Sequence, residues 1–342
     1  MSAAVSVSYY VGLDVHRKTI SYCVKTSDGR IVCESSIPAN REALSRWAQA
    51  FDKPWCGGLE ATICSHWIYQ HLKPYALELK MGAPVRLKAI TAAKRKTDCL
   101  DARMLADLLR CNLFPECYVM PVDYADLRRQ LRYRALLVHT QVQFKNKTAG
   151  LLIENGIAYD TERLHRKKYF TELLKTSPQI PEQLRRLLAF NRMQIESLQR
   201  IDRSIVSSLQ CDTLLADRIT KLRTIDGMGE ITALTWALET GEPSRFPNAK
   251  HALSYCGLCS RQRESAGVGK RGPLSKQRNR FLQTTLIEAA HLAPRYNEVL
   301  RAIYEMAREK GNANRATLEV ARRLVRYLLA VDRQHFQQRA AA

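Results

Sequence analysis

Short apolar runs alternate with segments of helical periodicity over the first part of the chain. Runs rich in β-branched and aromatic residues predict strands at 8–25, with a tight turn at 16–18, and then at 30–36, 55–61 and 82–90. Apolar residues spaced three and four apart predict helices at 41–51 and 66–79, and a third that begins near residue 97. Strands that alternate with helices are typical of an α/β domain with a mixed sheet, and we place this domain at 8–120.

The middle of the chain, 121–212, has apolar residues that recur every three or four positions over long distances. Two such seams predict two long helices. We interpret the region as a helical hairpin or coiled coil, whose seam closes either within one chain or between two chains. The seam positions are Leu127, Leu131, Ala135, Val138 and Val142, followed by Leu188, Asn191, Ile195, Leu198, Asp202, Ile205 and Leu209.

The remainder, 213–333, predicts a mainly α domain of short helices that ends in a helix pair. The segment around Gly227 and Gly229 resembles a helix-hairpin-helix turn, in which backbone N–H groups beside a helix N-terminus bind phosphate, although a plain turn between helices explains it equally well. We predict a loop rich in glycine and basic residues at 257–273, a basic helix from 274, and a disordered tail at 334–342.

The charge of the chain indicates the class of its partner. Lysine and arginine outnumber aspartate and glutamate by 54 to 33, which gives a net charge of +21 and a pI near 9.7. This excess indicates a polyanion, most simply nucleic acid. A membrane is the weaker alternative, because no apolar run approaches the roughly 20 residues that a spanning helix needs. The N-terminus lacks the features of a signal peptide, so we expect a cytoplasmic protein.

Four acidic residues stand at predicted strand ends and at the start of a helix. Asp14 lies in an apolar strand, where an unpaired carboxylate is costly, and Glu60 ends another strand. Asp98 and Asp101 are three apart and therefore share one helix face. Simpler explanations stay open: Asp98 as the N-cap with Asp101 in the first turn, and Asp14 paired with a basic residue at 17 or 18.

These carboxylates predict a metal centre if they converge. Four converging carboxylates repel one another unless cations neutralise them. Two Mg²⁺ ions about 3.5–4 Å apart are the usual arrangement for phosphodiester chemistry. Hard oxygen ligands also suit Mg²⁺ better than zinc.

The residues around the acids carry a resemblance to a known family. The segments VGLDV at 11–15, LEAT at 59–62 and KTDCLDAR at 96–103 resemble the DEDD motif of a transposase family of bacterial insertion sequences, which includes the Piv-type DNA invertases. The resemblance implies a RuvC-like (RNase H-like) N-terminal domain, in which Asp14, Glu60, Asp98 and Asp101 hold Mg²⁺. One departure is Ile63, where the family usually has glycine.

The resemblance also implies a role for Ser265. Taken alone, Ser265 is an ordinary serine in a basic loop, since no activating base is recognisable from the spacing. In the family, a C-terminal transposase domain carries a serine that is the recombination nucleophile, and Ser265 aligns with it. Ser260 and Ala266 depart from the usual proline and glycine of this stretch.

The binding partners are predicted partly from the net charge and partly from the resemblance. The resemblance implies dimers, assembling as a tetramer on DNA, and a noncoding bridge RNA that pairs with target and donor DNA. Candidate contacts to nucleic acid are Lys94, Arg95, Lys96, Arg103, Gly227, Gly229, Arg261, Arg263, Lys270, Arg271, Lys276, Arg278 and Arg280.

Three functions are compatible with the sequence. The first, which we favour, is a site-specific DNA recombinase that forms a covalent phosphoserine intermediate. The second is a hydrolytic RuvC-like nuclease, in which water is the nucleophile and Ser265 is dispensable. The third is a non-enzymatic nucleic-acid-binding protein, in which the acids are helix caps and surface pairs.

Overall fold

The apolar runs of the N-terminal part form one mixed sheet in the computed structural model, which describes residues 7–90, 97–265 and 268–341. Within that described part, the sheet has five strands in the order β3-β2-β1-β4-β5. The antiparallel pairs are β1/β2 and β2/β3, and the parallel pairs are β1/β4 and β4/β5. The strands are β1 (Tyr9–Val15), β2 (Thr19–Lys25), β3 (Ile31–Pro38), β4 (Trp55–Glu60) and β5 (Glu78–Gly82). This mixed α/β arrangement is consistent with the expected RNase H-like domain.

Helices cover both faces of this sheet. Val11 and Leu13 of β1 pack in an apolar core with Ile68, on the face covered by α1 (Arg41–Gln49) and α2 (Ser65–Leu72). Because side chains alternate along a strand, Gly12 faces the opposite side, where α4 (Asp98–Arg110) lies against it.

Two predictions in this unit are wrong, one near Pro74 and the other at Pro84. The helix predicted at 66–79 ends at Leu72, because a proline at 74 cannot continue it, and β5 follows. The strand predicted at 82–90 is instead helix α3 (Pro84–Ile90), which begins at a proline, a favourable first helical residue. Leu87 is buried while Val85 and Ile90 are exposed, which is the burial of one helical face.

Two long helices occupy the region in which a helical hairpin or coiled coil was predicted. The chain divides into two compact units, Met1–Val122 and Asp123–Ala342. In the second unit, α5 (Val122–Glu154) and α7 (Glu182–Gln210) are antiparallel, with α6 (Lys167–Thr176) between them in sequence. Arg134 pairs with Asp202 at 2.8 Å, and the rings of Phe144 and Phe190 lie 6.3 Å apart. At these two points α5 and α7 contact each other within one chain.

Burial follows the predicted seam more closely on α7 than on α5. Leu188, Asn191 and Ile195 are buried, as the spacing predicts. On α5, Leu131 is buried, but Val142 is 44% exposed and lies outside the seam.

The C-terminal part is a helical domain with one polar hairpin among its described residues. Its elements are α8 (Ala216–Leu222), α9 (Glu230–Thr240), α10 (Ala249–Tyr255), β6 (Ser260–Ser265), β7 (Val268–Leu274), α11 (Arg280–Leu292), α12 (Glu298–Glu309) and α13 (Ala313–Ala341), with short 3-10 helices at Pro243–Arg245 and Ala293–Arg295. The helix pair predicted near the end of this domain is confirmed as α12 and α13.

Three segments of this domain differ from the predictions. The predicted basic loop is the antiparallel pair β6/β7, which satisfies backbone hydrogen bonds in a segment without apolar alternation. The predicted basic helix begins only at Arg280, because Asn279 caps it. The tail predicted to be disordered continues α13 to Ala341, since Asp332 and His335 are buried against the rest of the unit.

Candidate metal centre and nucleic-acid interface

Asp14 reaches the candidate site because helix α4 packs closely against β1 at Gly12, two residues earlier on the same sheet face. A Cβ atom at Gly12 would lie 2.0 Å from the backbone oxygen of Ala102, so only glycine lets α4 approach β1 this closely. Asp14, two residues further along β1, therefore projects towards the start of α4. Its side chain is only 13% exposed.

Glu60 occupies the equivalent position on the neighbouring parallel strand. Gly12 and Gly58 are register partners in β1 and β4. A Cβ atom at Gly58 would meet Leu109 of α4, so this residue and Glu60 share the sheet face of Asp14. Glu60 is half-buried at the carboxyl end of β4. Two of the four acids are thus adjacent at one edge of the sheet.

The other two acids belong to the first turn of α4. Thr97 is the N-cap, with its Oγ1 accepting a hydrogen bond from the backbone N–H of Leu100 at 3.3 Å, so Asp98 is not the cap. Asp98 is exposed and Asp101 is half-buried. Both carboxylates lie at the positive end of the helix dipole, where they are favoured.

Asp14 lies within electrostatic range of both aspartates. Burial raises the pKa of Asp14, contact with His16 lowers it, and the charges of Asp101 and Asp98 raise it further, with a net upward shift. A cation placed among these carboxylates would relieve their repulsion.

His16 is the residue that the sequence analysis missed. Its Nε2 lies 3.1 Å from Oδ2 of Asp14 and 3.5 Å from Oδ1 of Asp98. The partner of Asp14 is therefore His16, where the sequence suggested a basic residue at 17 or 18. A histidine two residues after an acid, in the tight turn of an apolar hairpin, was the available signal.

The donor set of this cluster fits a divalent cation. Asp14, His16 and Asp98 each offer one ligand atom, and these atoms all lie within 4.8 Å of one another. Carboxylate oxygens dominate the set once Glu60 and Asp101 are included, as Mg²⁺ requires.

Ser265 is the last residue of β6, opposite Val268 in β7. For Ser265, Arg263, Lys270 and Arg271, the structure describes the backbone alone. The base of the hairpin is anchored by three hydrogen bonds: Ser275 N–H donates to Cys259 O, Arg322 Nε to Leu258 O and Gln283 Nε2 to Gly257 O. The hairpin therefore projects from a fixed base.

The predicted nucleic-acid contacts are found in different settings. Those at Lys94, Arg95 and Lys96 lie outside the described residues. Arg103 forms a bidentate ion pair with Glu34, which raises the pKa of Arg103 and lowers that of Glu34. A guanidinium held in this way joins α4 to β3 and is less available to phosphate. The basic side chains beside the hairpin that are exposed are Arg261, Lys276, Arg278 and Arg280.

The two glycines form the turn between α8 and α9. Gly227 has a φ of +84°, which favours glycine, and Gly229 is the exposed N-cap of α9. The turn lines a cavity of about 680 Å³, whose lining also includes the acids Asp226 and Glu288 and the basic residue Arg223. The mixed charge of this cavity fits a plain turn between helices at least as well as a phosphate site.

Comparisons with known proteins match both units of the chain. The family model for DEDD transposases of the IS110 type, described as a transposase, matches residues 11–155. A second model, described as the transposase IS116/IS110/IS902 family, matches residues 219–305.

Individual relatives agree with these models. A Sinorhizobium fredii protein named as a transposase is 24% identical over 288 residues, which covers 82% of this chain and 70% of the relative. The transposase of insertion sequence element IS1533 from Leptospira borgpetersenii is 24% identical over 267 residues, 73% of this chain and 75% of the relative. The pilin gene-inverting protein of Moraxella bovis is 26% identical over 143 residues, 41% of this chain and 44% of the relative.

The first of these models includes Asp14, Glu60, Asp98 and Asp101, and the second includes Ser265. Since both models and the transposase relatives agree, the chain belongs to the IS110 family of DEDD transposases and is a DNA transposase.

Proposed function

We propose that this transposase cuts and rejoins DNA with Asp14, Glu60, Asp98 and Asp101 holding two Mg²⁺ ions beside the scissile phosphate, and with Ser265 as the nucleophile. The observation that carries the metal centre is the placement of these acids. Asp14 and Glu60 share one sheet face, and α4, which begins with Asp98 and Asp101, packs on that face. Bound Mg²⁺ would supply positive charge for the phosphoryl oxygens and the leaving oxygen.

The serine step exchanges one phosphodiester bond for another. The Oγ atom of Ser265 forms a bond to phosphorus while the bond from phosphorus to the 3′ oxygen of the DNA breaks. The hydroxyl proton of Ser265 leaves, and the 3′ oxygen gains a proton to become a free hydroxyl. In the reverse step a 3′-hydroxyl from a second DNA attacks the phosphoserine, so the strand is rejoined without an external energy source.

We propose that a noncoding bridge RNA selects target and donor DNA by base pairing, and that the protein works in the cytoplasm. The net charge of +21 supports a large polyanionic partner. Among the described residues no helix combines the length and apolarity needed to cross a membrane. RNA that copurifies with the full chain and is required for cleavage would support the guide; cleavage that survives ribonuclease treatment would contradict it.

We propose that copies of the chain pair through the helical hairpin, as a dimer that assembles to a tetramer on DNA. Apolar side chains remain about half exposed on both helices, among them Tyr133 and Leu136 on α5 and Leu187, Phe190 and Met193 on α7. Such surfaces commonly mark protein contacts. Light scattering on the chain and on Leu187→Lys/Met193→Lys tests this: a monomer in both would contradict it.

The decisive experiment traps DNA on the protein. The full chain is expressed with the DNA that flanks its gene, incubated with Mg²⁺ and denatured, and any phosphoserine adduct is located by mass spectrometry. We expect an adduct at Ser265 that disappears in Ser265→Ala. Ser260→Ala, a serine at the base of the same strand, is the matched control and should retain the adduct.

The acids are tested in the same assay. Asp98→Asn should abolish both cleavage and adduct, whereas Asp126→Asn, an exposed aspartate on α5, should leave both unchanged. Cleavage that survives Ser265→Ala without an adduct but is lost in Asp98→Asn would identify a hydrolytic nuclease and overturn the serine mechanism.

A further inference from the structure

The imidazole of His16 lies between two of the proposed metal ligands. One atom, Nε2, is 3.1 Å from a carboxylate oxygen of Asp14 and 3.5 Å from one of Asp98. Two ligands at about 2.1 Å from a metal ion, on adjacent octahedral positions, are about 3 Å apart. The Nε2 atom therefore lies at nearly the spacing of a neighbouring ligand from each of the two oxygens, and all three atoms lie within 4.8 Å of one another.

The backbone holds His16 at this position. The residue directly follows β1, and its N–H donates to the oxygen of Thr19 at 3.0 Å across the turn to β2. Val15 and Ile20 are paired on the strand side of the same turn. The imidazole thus extends from a closed hairpin whose β1 strand also carries Asp14, and the distance between the two side chains is limited by the sheet.

We propose that His16 is a nitrogen ligand of the metal centre, and that it shifts the preference of the centre towards Mn²⁺ relative to a site made of carboxylates alone. The inference rests on the proposed role of Asp14 and Asp98 as metal ligands. Imidazole nitrogen is a good ligand for transition metals, whereas Mg²⁺ selects oxygen and keeps several waters. One nitrogen in a carboxylate set therefore improves the binding of Mn²⁺ more than that of Mg²⁺.

If His16 opposes metal binding, its removal has a different effect on metal affinity. If the imidazole merely neutralised the two carboxylates, it would compete with any cation. Removing it would then strengthen the binding of Mn²⁺ and Mg²⁺ alike.

The test measures metal binding without DNA or turnover. Binding of Mn²⁺ and of Mg²⁺ to the full chain is measured by calorimetry, and electron paramagnetic resonance of bound Mn²⁺ reports nitrogen hyperfine coupling. We expect this coupling in the wild type and its loss in His16→Ala. The affinity for Mn²⁺ should fall by about tenfold or more, on the scale seen when groups around a metal are removed, and the affinity for Mg²⁺ by much less.

A second variant separates the ligand atom from the space it fills. In His16→Gln an amide oxygen replaces the ring nitrogen at a similar reach, so the coupling should be absent while the preference moves towards Mg²⁺. His139→Asn, an exposed histidine on α5, is the matched control and should behave as the wild type. Thermal unfolding of each variant checks that it is folded.

The outcomes distinguish this inference from the function on which it rests. Unchanged or tighter binding of Mn²⁺ in His16→Ala, or no nitrogen coupling in the wild type, would overturn the inference while the carboxylate site stands. Failure of the wild type to bind either metal, or binding that Asp14→Asn leaves unchanged, would overturn the proposed metal centre itself.

Discussion

At the scale of single residues, the candidate site depends on one position without a side chain. Gly12 allows the backbone of α4 to lie against β1, and this contact brings Asp98 and Asp101 to the end of the strand that carries Asp14. The glycine is therefore as much a part of the site as the acids, although it has no functional group.

Gly12→Ala should destabilise the protein and disrupt the metal centre together. Its Cβ would lie 2.0 Å from the oxygen of Ala102 and 2.6 Å from the nitrogen of Ala106, both rigid backbone atoms, so α4 must move away. We expect a cost of about 3 kcal/mol or more, measured by denaturant unfolding.

The matched control for this change is Gly150→Ala. Apart from its chain neighbours and the nearby backbone of α5 itself, no heavy atom of the described residues lies within 4 Å of the position that a Cβ would take at Gly150. Alanine is favoured over glycine in a helix by about 1 kcal/mol, so this variant should be slightly more stable. Equal effects of the two substitutions would show that close packing at Gly12 is unimportant.

The lowered pKa of His335 should make the stability of the protein depend on pH. The side chain is buried in the C-terminal unit, and burial lowers its pKa, although the charges of Asp217 and Asp332 raise it in part and Arg218 and Arg339 lower it further. Between the lowered folded value and the unfolded value of about 6.5, the unfolded chain binds more protons. Stability is thus fully present above about pH 6.5 and falls as the pH decreases through the folded value.

The measurement is the urea midpoint of the wild type and of His335→Gln as a function of pH. The variant lacks the titrating group, so its midpoint should depend less on pH between about 5 and 7. Parallel curves for the two proteins would assign the dependence to other groups.

At the scale of elements, a buried ion pair joins three helices of the C-terminal unit. Arg218 of α8 and Asp332 of α13 have side chains that are 0% exposed, and Asp332 also accepts a hydrogen bond from Trp236 Nε1 of α9 at 2.9 Å. Removing one partner leaves a buried charge unpaired, which is more costly than replacing both.

Asp332→Ala should therefore lower the free energy of unfolding by about 3–5 kcal/mol, measured by denaturant unfolding. The double variant Arg218→Met/Asp332→Leu should recover much of this loss, because it leaves no buried charge. The exposed pair of Arg186 and Glu182 on α7 gives the comparison: Arg186→Ala should change stability by less than about 1 kcal/mol. A double variant no more stable than Asp332→Ala would contradict the argument.

The sequence predicted elements well where an apolar period was present. Strands β1 to β4, the long helices and the helix pair near the end all carry such periods. Strand β5 was missed, because the predictions had a helix at 66–79 and a strand at 82–90. The hairpin of β6 and β7 was missed because most of its residues are polar, basic or glycine, so no alternation of apolar and polar positions marks one face. At the candidate site, the motif predicted the four acids, but the role of Gly12 and the contacts of His16 arise from packing between β1 and α4, which no local sequence pattern reports.

At the scale of the whole molecule, the excess of positive charge should dominate binding to nucleic acid. Each phosphate contact releases counterions, so affinity for DNA should fall linearly with salt on logarithmic axes. The exposed residues Lys276, Arg278 and Arg280, which precede or begin α11, are the expected contacts next to the hairpin.

Exchange of these three residues for glutamine should reduce the salt slope by up to about 3. Fluorescence anisotropy with labelled duplex DNA at several salt concentrations measures the slope. The control exchanges Arg46, Arg129 and Arg186, which are engaged in surface ion pairs, and alters the net charge equally. An equal loss of slope in the control would mean that net charge, and not local contact, sets the affinity.

The length of the polar hairpin determines how far Ser265 lies from the anchored base of the hairpin. From Ser260 to Ser265, strand β6 spans five residue steps, or about 17 Å at the rise of an antiparallel strand. The major groove of B-DNA is only about 12 Å wide. Ser265 lies at that distance from the anchored base of the hairpin, so it can reach a phosphate on the far side of the groove while the helices stay on the near side of the duplex. The position at which the base of the hairpin docks can therefore decide which DNA strand the serine meets.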